Sequence, residues 1–276
     1  MGVEGSRFVY EKEKHSEEEL PSMIKLIITD LDNTLLNDVK VISSYSSEIL
    51  RECQRKGIKF VFATARPERA TKIIQKSFQP DYIISNNGAT ISHGDNVIFN
   101  NVIDTEIGNS VLADLSEIGE VTCLTVEAGK CLYTDYSGKP WDNENWNPVH
   151  FDFSKSFDED IVKISTECKK TELLDNLILK YPSLHLYHNN GEDWSQIMHI
   201  NSTKMNAINY LAKILNTHIS NIAAFGDDFN DIDMIKNCGI GIAVGNAVDS
   251  VKQVADFICL TNNDDGVAEW IKANIL

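Results

Sequence analysis

Ile24-Lys25-Leu26-Ile27-Ile28-Thr29-Asp30-Leu31-Asp32-Asn33-Thr34 runs an apolar, β-branched stretch straight into two aspartates. The run has the composition of a buried strand, and Asp and Asn favour the turn that must follow it. Outward from this point the same arrangement repeats. Residues 58–63 lead into Thr64-Ala65-Arg66-Pro67, residues 81–85 into Asn86-Asn87-Gly88, and residues 222–225 into Gly226-Asp227-Asp228-Phe229-Asn230-Asp231. Two more apolar runs, 240–244 and 257–260, also read as strands. Helical patterns lie between them. Residues 44–56 place Ile49, Leu50 and Cys53 on one face with Gly57 as a C-terminal cap, and Pro67 can open a helix that aligns Ala70, Ile73, Ile74 and Phe78. A helix over 203–215 and a short one after Asp231 complete the alternation. Strands alternating with helices predict an α/β fold whose core is a doubly wound, Rossmann-like parallel sheet.

The middle of the chain reads differently. Short strands at 90–92, 97–99, 121–126 and 131–134 are separated by His93-Gly94-Asp95-Asn96 and Glu127-Ala128-Gly129-Lys130, which are hairpin signals. A strand at 161–165, a helix over 170–180 and strands at 184–187 and 196–200 follow. The expected organisation is therefore a discontinuous core, residues 23–87 and 197–276, interrupted by an α+β domain at 88–196. A flexible extension at 1–22 precedes it, rich in Glu and Lys.

Composition limits the function. With 25 basic and 41 acidic residues among 276 the net charge is −16, which disfavours nucleic acid and anionic membranes as partners. The expected partner is a small molecule. No apolar run approaches the ~20 residues of a membrane-spanning helix, and the first residues carry no apolar signal core, so a cytoplasmic location is expected. Met1 to Ser6 fits a minimal N-myristoylation pattern. The six cysteines form no closely spaced pairs of the zinc or redox kind and are read as reduced thiols.

Polar residues gather at the C-terminal ends of the core strands, the edge at which open parallel sheets bind ligands. Asp30 and Asp32 are separated by one residue, so one carboxylate can act as nucleophile while the other handles a proton; Asp-x-Asp is also an ordinary solvated turn. Thr64 can hold a phosphoryl oxygen and Arg66 can add a cation, or Thr64 can cap the helix that follows. Lys204 opens the helix that restores the core, although a lone lysine is ordinarily solvated. Asp227, Asp228, Asn230 and Asp231 offer hard oxygen donors of the kind Mg²⁺ takes, or they cap a helix. Gly239-Ile240-Gly241-Ile242-Ala243-Val244-Gly245 has the wrong spacing for a dinucleotide loop and reads as strand.

Taken in order, Asp30-Leu31-Asp32-Asn33-Thr34, Thr64, Lys204 and Gly226 to Asp231 resemble the four motifs of the haloacid dehalogenase superfamily. The insertion between the second and third motifs, with Asn86-Asn87-Gly88-Ala89 and Asn230-Asp231, resembles the type-two α/β cap of the Cof-like phosphatases. The resemblance implies a phosphatase in which Asp30 attacks phosphorus and Asp32 serves as general acid and then base. It implies Mg²⁺ held by Asp30, the Asp32 carbonyl and Asp227 with Asp231 close by, and phosphate held by Thr64 and Lys204. Arg66, Asn87 and Asn230 would lie near the substrate, a sugar phosphate or a cofactor phosphate such as flavin mononucleotide or pyridoxal phosphate. Met205 departs from the pattern, because relatives usually carry Gly after the lysine. Trp141, Trp146 and Trp194 of the insertion can stack on a ring or serve as core aromatics. A phosphosugar mutase and a non-catalytic phosphosugar-binding protein are the alternative readings.

Overall fold

The computed structural model describes residues 24–136, 148–189 and 191–276. The expected extension at 1–22, the acylation pattern, Trp141 and Trp146 lie outside the described residues. Two compact units are present. One comprises the described residues up to Thr64 with Ile73–Ile84 and Lys204–Leu276; the other comprises Ala65–Lys72 and the described part of Ser85–Thr203. In chain order the elements are β1 (Leu26–Thr29), α1 (Ser44–Arg55), β2 (Lys59–Ala63), α2 (Glu68–Gln75) and β3 (Tyr82–Ser85), then β4 (Thr90–His93), β5 (Asn96–Asn100) and α3 (Thr105–Ser116). Next come β6 (Val121–Ala128), β7 (Cys131–Thr134), β8 (Pro148–His150), β9 (Ile161–Cys168), α4 (Thr171–Ile178), β10 (Leu184–His188) and β11 (Trp194–His199). The chain closes with α5 (Lys204–Ile214), β12 (Ile222–Gly226), α6 (Ile232–Asn237), β13 (Ile240–Ala243), α7 (Asp249–Val254), β14 (Phe257–Ile258) and α8 (Gly266–Asn274).

The first unit is the doubly wound sheet. Its strands run parallel in the order β14-β13-β12-β1-β2-β3. Every residue of β1 and β12 is buried, as central strands covered on both faces require. Helix α1 packs on α8, and α5 packs on α6. Helix α1 starts where the Ser43 side chain accepts the Ser46 N–H, and it ends before Gly57, whose φ of 85° suits glycine. The glycines of the 239–245 stretch have packing reasons: a Cβ on Gly239 or Gly241 would strike the carbonyls of Ser220 and Ile235.

The second unit carries a sheet of order β10-β11-β9-β6-β7-β8, antiparallel except between β7 and β8. Period-two alternation gives this sheet two unlike faces. One face sends Leu124, Val126, Ile164 and Ile197 into a core shared with Val111, Leu112 and Leu115 of α3 and Leu174 and Leu177 of α4. The other presents Thr125 and Glu127 of β6, Lys163 and Ser165 of β9, and Trp194 and Gln196 of β11. The cross-strand register sets Glu127 opposite Lys163 and Ser165 between Thr125 and Gln196.

Several elements differ from the sequence reading; β8, α7 and α8 stand where none is expected. Helix α3 occupies a stretch where no element is expected; the Asp104 carboxylate caps it, accepting from the Glu106 and Ile107 N–H groups at 3.0 and 3.3 Å. Glu127 belongs to β6 rather than to a turn, because Ala128 pairs with Cys131 and leaves Gly129-Lys130 as a two-residue hairpin loop. None of the six cysteines forms a disulfide. Among the described residues no helix is long and apolar enough to cross a membrane.

Candidate active site

Parallel register decides what meets at the end of the first unit's sheet. Thr29 of β1 pairs with Phe62 of β2 and with Phe225 of β12, so the residues that follow these strands emerge at one level. Asp30 follows β1 and donates its backbone N–H to the Phe225 carbonyl at 2.9 Å. Gly226 and Asp227 end β12 and begin the loop beside it, and Thr64 follows β2. From the other side Lys204, the first residue of α5, reaches in with its side chain only 1% exposed. Its Nζ donates to Asp30 Oδ1 at 2.7 Å and to Asp231 Oδ1 at 2.6 Å. A buried ammonium and two buried carboxylates form one hydrogen-bonded chain. The solvated reading of Lys204 is excluded, and Met205 beside it does not prevent the contact.

The acidic loop divides its labour. Asp228 caps the single turn Phe229–Asp231 by accepting the Phe229 N–H, and the other Asp231 oxygen accepts the N–H groups of Asp227 and Asp228 at 2.9 and 3.2 Å. Both Asp231 oxygens are therefore engaged. Gly226 is required beneath it, since a Cβ there would lie 2.5 Å from the Asp231 Cβ. The Asp227 carboxylate faces Thr34, whose hydroxyl donates to Oδ1 at 2.7 Å. Thr34 stands inside the first motif, but no role was read for it from the sequence. Asn230, half-buried, sits in the capped turn.

Oxygens of Asp30, Asp227 and Asp231 lie within 4.8 Å of one another. Three buried carboxylates share one ammonium, and the charge imbalance shows in the titration of Asp30 and Asp227. Burial pushes the Asp30 carboxyl well above its usual range; Lys204 opposes the shift, while Asp231, Asp227 and Asp32 add to it. Burial and then Asp231 push Asp227 up to about 7, against Thr34 and Lys204. Lys204 moves upward too, because Asp231 and Asp30 outweigh the effect of burial. A set of carboxylate oxygens with surplus negative charge fits a small, hard divalent cation such as Mg²⁺.

The remaining predicted residues take other places. Asp32 is half-buried, with Oδ1 3.1 Å from Lys40 Nζ. Thr64 is buried and donates its N–H to the Ile84 carbonyl at 2.8 Å; α2 begins only at Glu68, so Thr64 cannot be its cap. Arg66 and Asn87 belong to the second unit. Arg66 is half-buried and accepts the Asn86 N–H on its carbonyl at 2.9 Å. Asn87, left-handed at φ 53°, donates from Nδ2 to Gln196 Oε1 at 3.1 Å. Sequence reasoning missed a second charged group in this unit: the Arg69 guanidinium grips Glu127 with two bonds of 2.7 and 2.9 Å, and Lys163 donates to the Ala65 carbonyl at 3.0 Å.

Comparison with known proteins agrees with this architecture. The sequence model of the haloacid dehalogenase-like hydrolases matches residues 27–271. The chain is 31% identical over 258 residues to YcsE of Bacillus subtilis, a 5-amino-6-(5-phospho-D-ribitylamino)uracil phosphatase, covering 92% of this chain and 96% of that protein. It is 29% identical to YitU of the same organism, a phosphatase of the same name, over 90% of this chain and 96% of the other. A haloacid dehalogenase-like hydrolase of Bacteroides thetaiotaomicron superposes with a TM-score of 0.80 at 27% identity, covering 90% of this chain and 98% of that one. With its motifs carried on the strand ends of a parallel sheet and its relatives phosphatases, the chain belongs to the haloacid dehalogenase-like hydrolases, as a Cof-like phosphatase.

Proposed function

We propose that this chain hydrolyses phosphate monoesters of small metabolites through an aspartyl phosphate formed on Asp30, with Mg²⁺ as its cofactor. One observation carries the reading: Asp30 is held by Lys204, which is itself held by Asp231, at a strand end where Asp227 supplies a further carboxylate. An Asp30 oxygen forms the new P–O bond as the bond from phosphorus to the leaving oxygen breaks, and Asp32 gives that oxygen its proton. Water then passes a proton to Asp32 and attacks phosphorus, which frees Asp30 and inorganic phosphate. Lys204 and Thr64 hold the phosphoryl oxygens. Asp30, the Asp32 carbonyl and Asp227 would hold Mg²⁺, with Asp231 beside them. When bound, the metal supplies positive charge against the phosphoryl oxygens and the carboxylate cluster. Asp231, with both oxygens engaged, orients Lys204 and the acidic loop.

In this reading residues 88–196 act as the cap that selects the leaving group, with Arg66, Asn87 and Asn230 near the substrate. The names of the two Bacillus relatives support a polyol phosphate with a ring attached, within the wider class of sugar and cofactor phosphates. A panel of phosphorylated metabolites assayed for phosphate release with and without Mg²⁺, in the wild type and in Asp30→Asn, tests the reading. Release that requires both Mg²⁺ and Asp30 is expected. Undiminished release from the Asp30→Asn protein overturns it.

A further inference from the structure

Residues 244–248 join β13 to α7 in the first unit, and they bond in turn to the neighbouring loops at the strand ends. The Val244 N–H donates to the Gly226 carbonyl at 3.2 Å, the Gly245 N–H to the Leu260 carbonyl at 3.1 Å and the Val248 N–H to the Asp227 carbonyl at 2.9 Å. Backbone bonds of this kind place no demand on side chains. Asn246 is the one polar side chain in the connection. Its Nδ2 donates to the Asn33 carbonyl at 2.7 Å, and its Oδ1 accepts the Asn262 N–H at 2.9 Å. Both ends of the amide are engaged, so its orientation is set.

The bond to Asn33 meets the turn after β1 where its backbone is least relaxed. Asn33 stands between Asp32 and Thr34 with a left-handed φ of 58°, a conformation that a residue with a side chain adopts at a cost. Two contacts hold it there: its Oδ1 accepts from Lys40 at 3.2 Å and its carbonyl accepts from Asn246. The next residue crosses to the acidic loop, because the Thr34 hydroxyl donates to Asp227 Oδ1 at 2.7 Å. A closed ring results. It runs from Asn33 through Thr34 to Asp227, from the Asp227 carbonyl to Val248, and back through Asn246 to Asn33. The turn cannot shift against the acidic loop without losing one of these bonds.

We propose that Asn246 is a positioning residue that fixes the spacing between the turn carrying Asp30 and Asp32 and the loop carrying Asp227, so that both meet Mg²⁺ without rearranging. Mg²⁺ demands near-ideal geometry, and a turn left free has to be ordered when the ion binds. Asn246 acts through the backbone, as groups behind the direct ligands of a metal commonly do. The ion's part in this inference rests on the phosphatase reading.

The test follows Mg²⁺ binding through the rise in melting temperature as the ion is added to the wild type and to Asn246→Ala. The side chain is exposed, so its truncation leaves no buried cavity. The Kd drawn from that rise is expected to increase about threefold to tenfold in the variant, the worth of one hydrogen bond. At saturating Mg²⁺, kcat for p-nitrophenyl phosphate should fall by a similar factor with KM little changed. Asn246→Gln, with the same amide on a longer arm, should recover part of both, and Asn246→Ser takes the place of Asn246→Ala if that protein does not fold. Asn274→Ala removes a side-chain amide bond to the Trp270 carbonyl at 2.8 Å in α8, and should lower the metal-free melting temperature while leaving Kd unchanged. An Asn246→Ala protein with the wild-type Kd and kcat overturns the proposal, whatever its metal-free stability, and so does an equal rise of Kd in Asn274→Ala. Failure of the wild type to release phosphate from any phosphomonoester with Mg²⁺ would instead strike the phosphatase reading, while the melting measurements still decide the role of Asn246.

Discussion

Each unit of this molecule buries a cluster of charged side chains, and the two are built differently. At the sheet end of the first unit, Asp30, Asp227 and Asp231 share Lys204. On the sheet face of the second, Arg69 and Lys163 share Glu127. Buried charge is tolerated where it is matched, and an unmatched remainder marks a place where an outside charge or dipole completes the set. The first cluster is short of positive charge, which the Mg²⁺ of the proposed function would supply. The second holds Lys163 by its donation to the Ala65 carbonyl and Arg69 by its two bonds to Glu127.

The largest expected effect breaks the first cluster at Lys204, the ammonium that Asp30 and Asp231 share. Lys204→Met leaves Asp30 and Asp231 buried without a counter-charge, and we expect a loss of about 3–5 kcal/mol in denaturant unfolding together with the loss of phosphatase activity. In the second unit, Arg69→Met takes from Glu127 the partner that holds both its oxygens and should cost about 3 kcal/mol or more, and the Arg69→Met/Glu127→Gln double variant should regain little of that stability, because it takes away the carboxylate opposite the buried Lys163. A double variant as stable as the wild type would show that Lys163 does not depend on Glu127.

A smaller effect separates the clusters by pH. Asp227 sits near 7 in the fold against about 3.8 as a free group, so the folded chain keeps a proton that the unfolded chain has lost between those values. Stability from this source therefore falls as pH rises from about 4 to 7. The metal-free protein should melt lower at pH 7.5 than at pH 5.5, Asp227→Asn should weaken that dependence, and saturating Mg²⁺ should raise the melting temperature at pH 7.5.

The smallest effect is a control on a carboxylate that is fully matched. Asp81 accepts from Lys59, the Phe60 N–H and Gln54, and these together outweigh burial and lower its pKa. Asp81→Asn should cost about 1–2 kcal/mol at neutral pH. The penalty should fade as pH falls below about 3.8 and the wild-type carboxylate takes up its proton.

The first cluster could be anticipated because its members end strands or begin a helix, and the order of those elements is written in apolar periodicity. Asp30, Asp227 and Lys204 were legible for that reason. Their partners were less so: that Thr34 would face Asp227, or that Asp231 would spend both oxygens on Lys204 and the loop, depends on backbone directions that spacing does not give. The second cluster was hidden in plain alternation. Leu124-Thr125-Val126-Glu127 and Val162-Lys163-Ile164-Ser165 place polar residues on one face in both strands, but only the register brings Glu127 opposite Lys163. Arg69 lies fifty-eight positions from Glu127, and no local pattern links them. Helix α3 was missed although Asp104 and the series Ile107, Val111, Leu112 and Leu115 carry its cap and its period.

The polar face of the second unit's sheet also bears on how such a protein diversifies. Its side chains stand two residues apart on strands whose backbone bonds do not involve them, so each can be exchanged while the ladder keeps its register. The strand-end cluster has no such freedom. Lys204 spans two aspartates, one of those aspartates fastens the loop, and the loop needs a glycine beneath it. Side chains on the sheet face can therefore change one substitution at a time, while the four interlocked positions of the cluster can change only together.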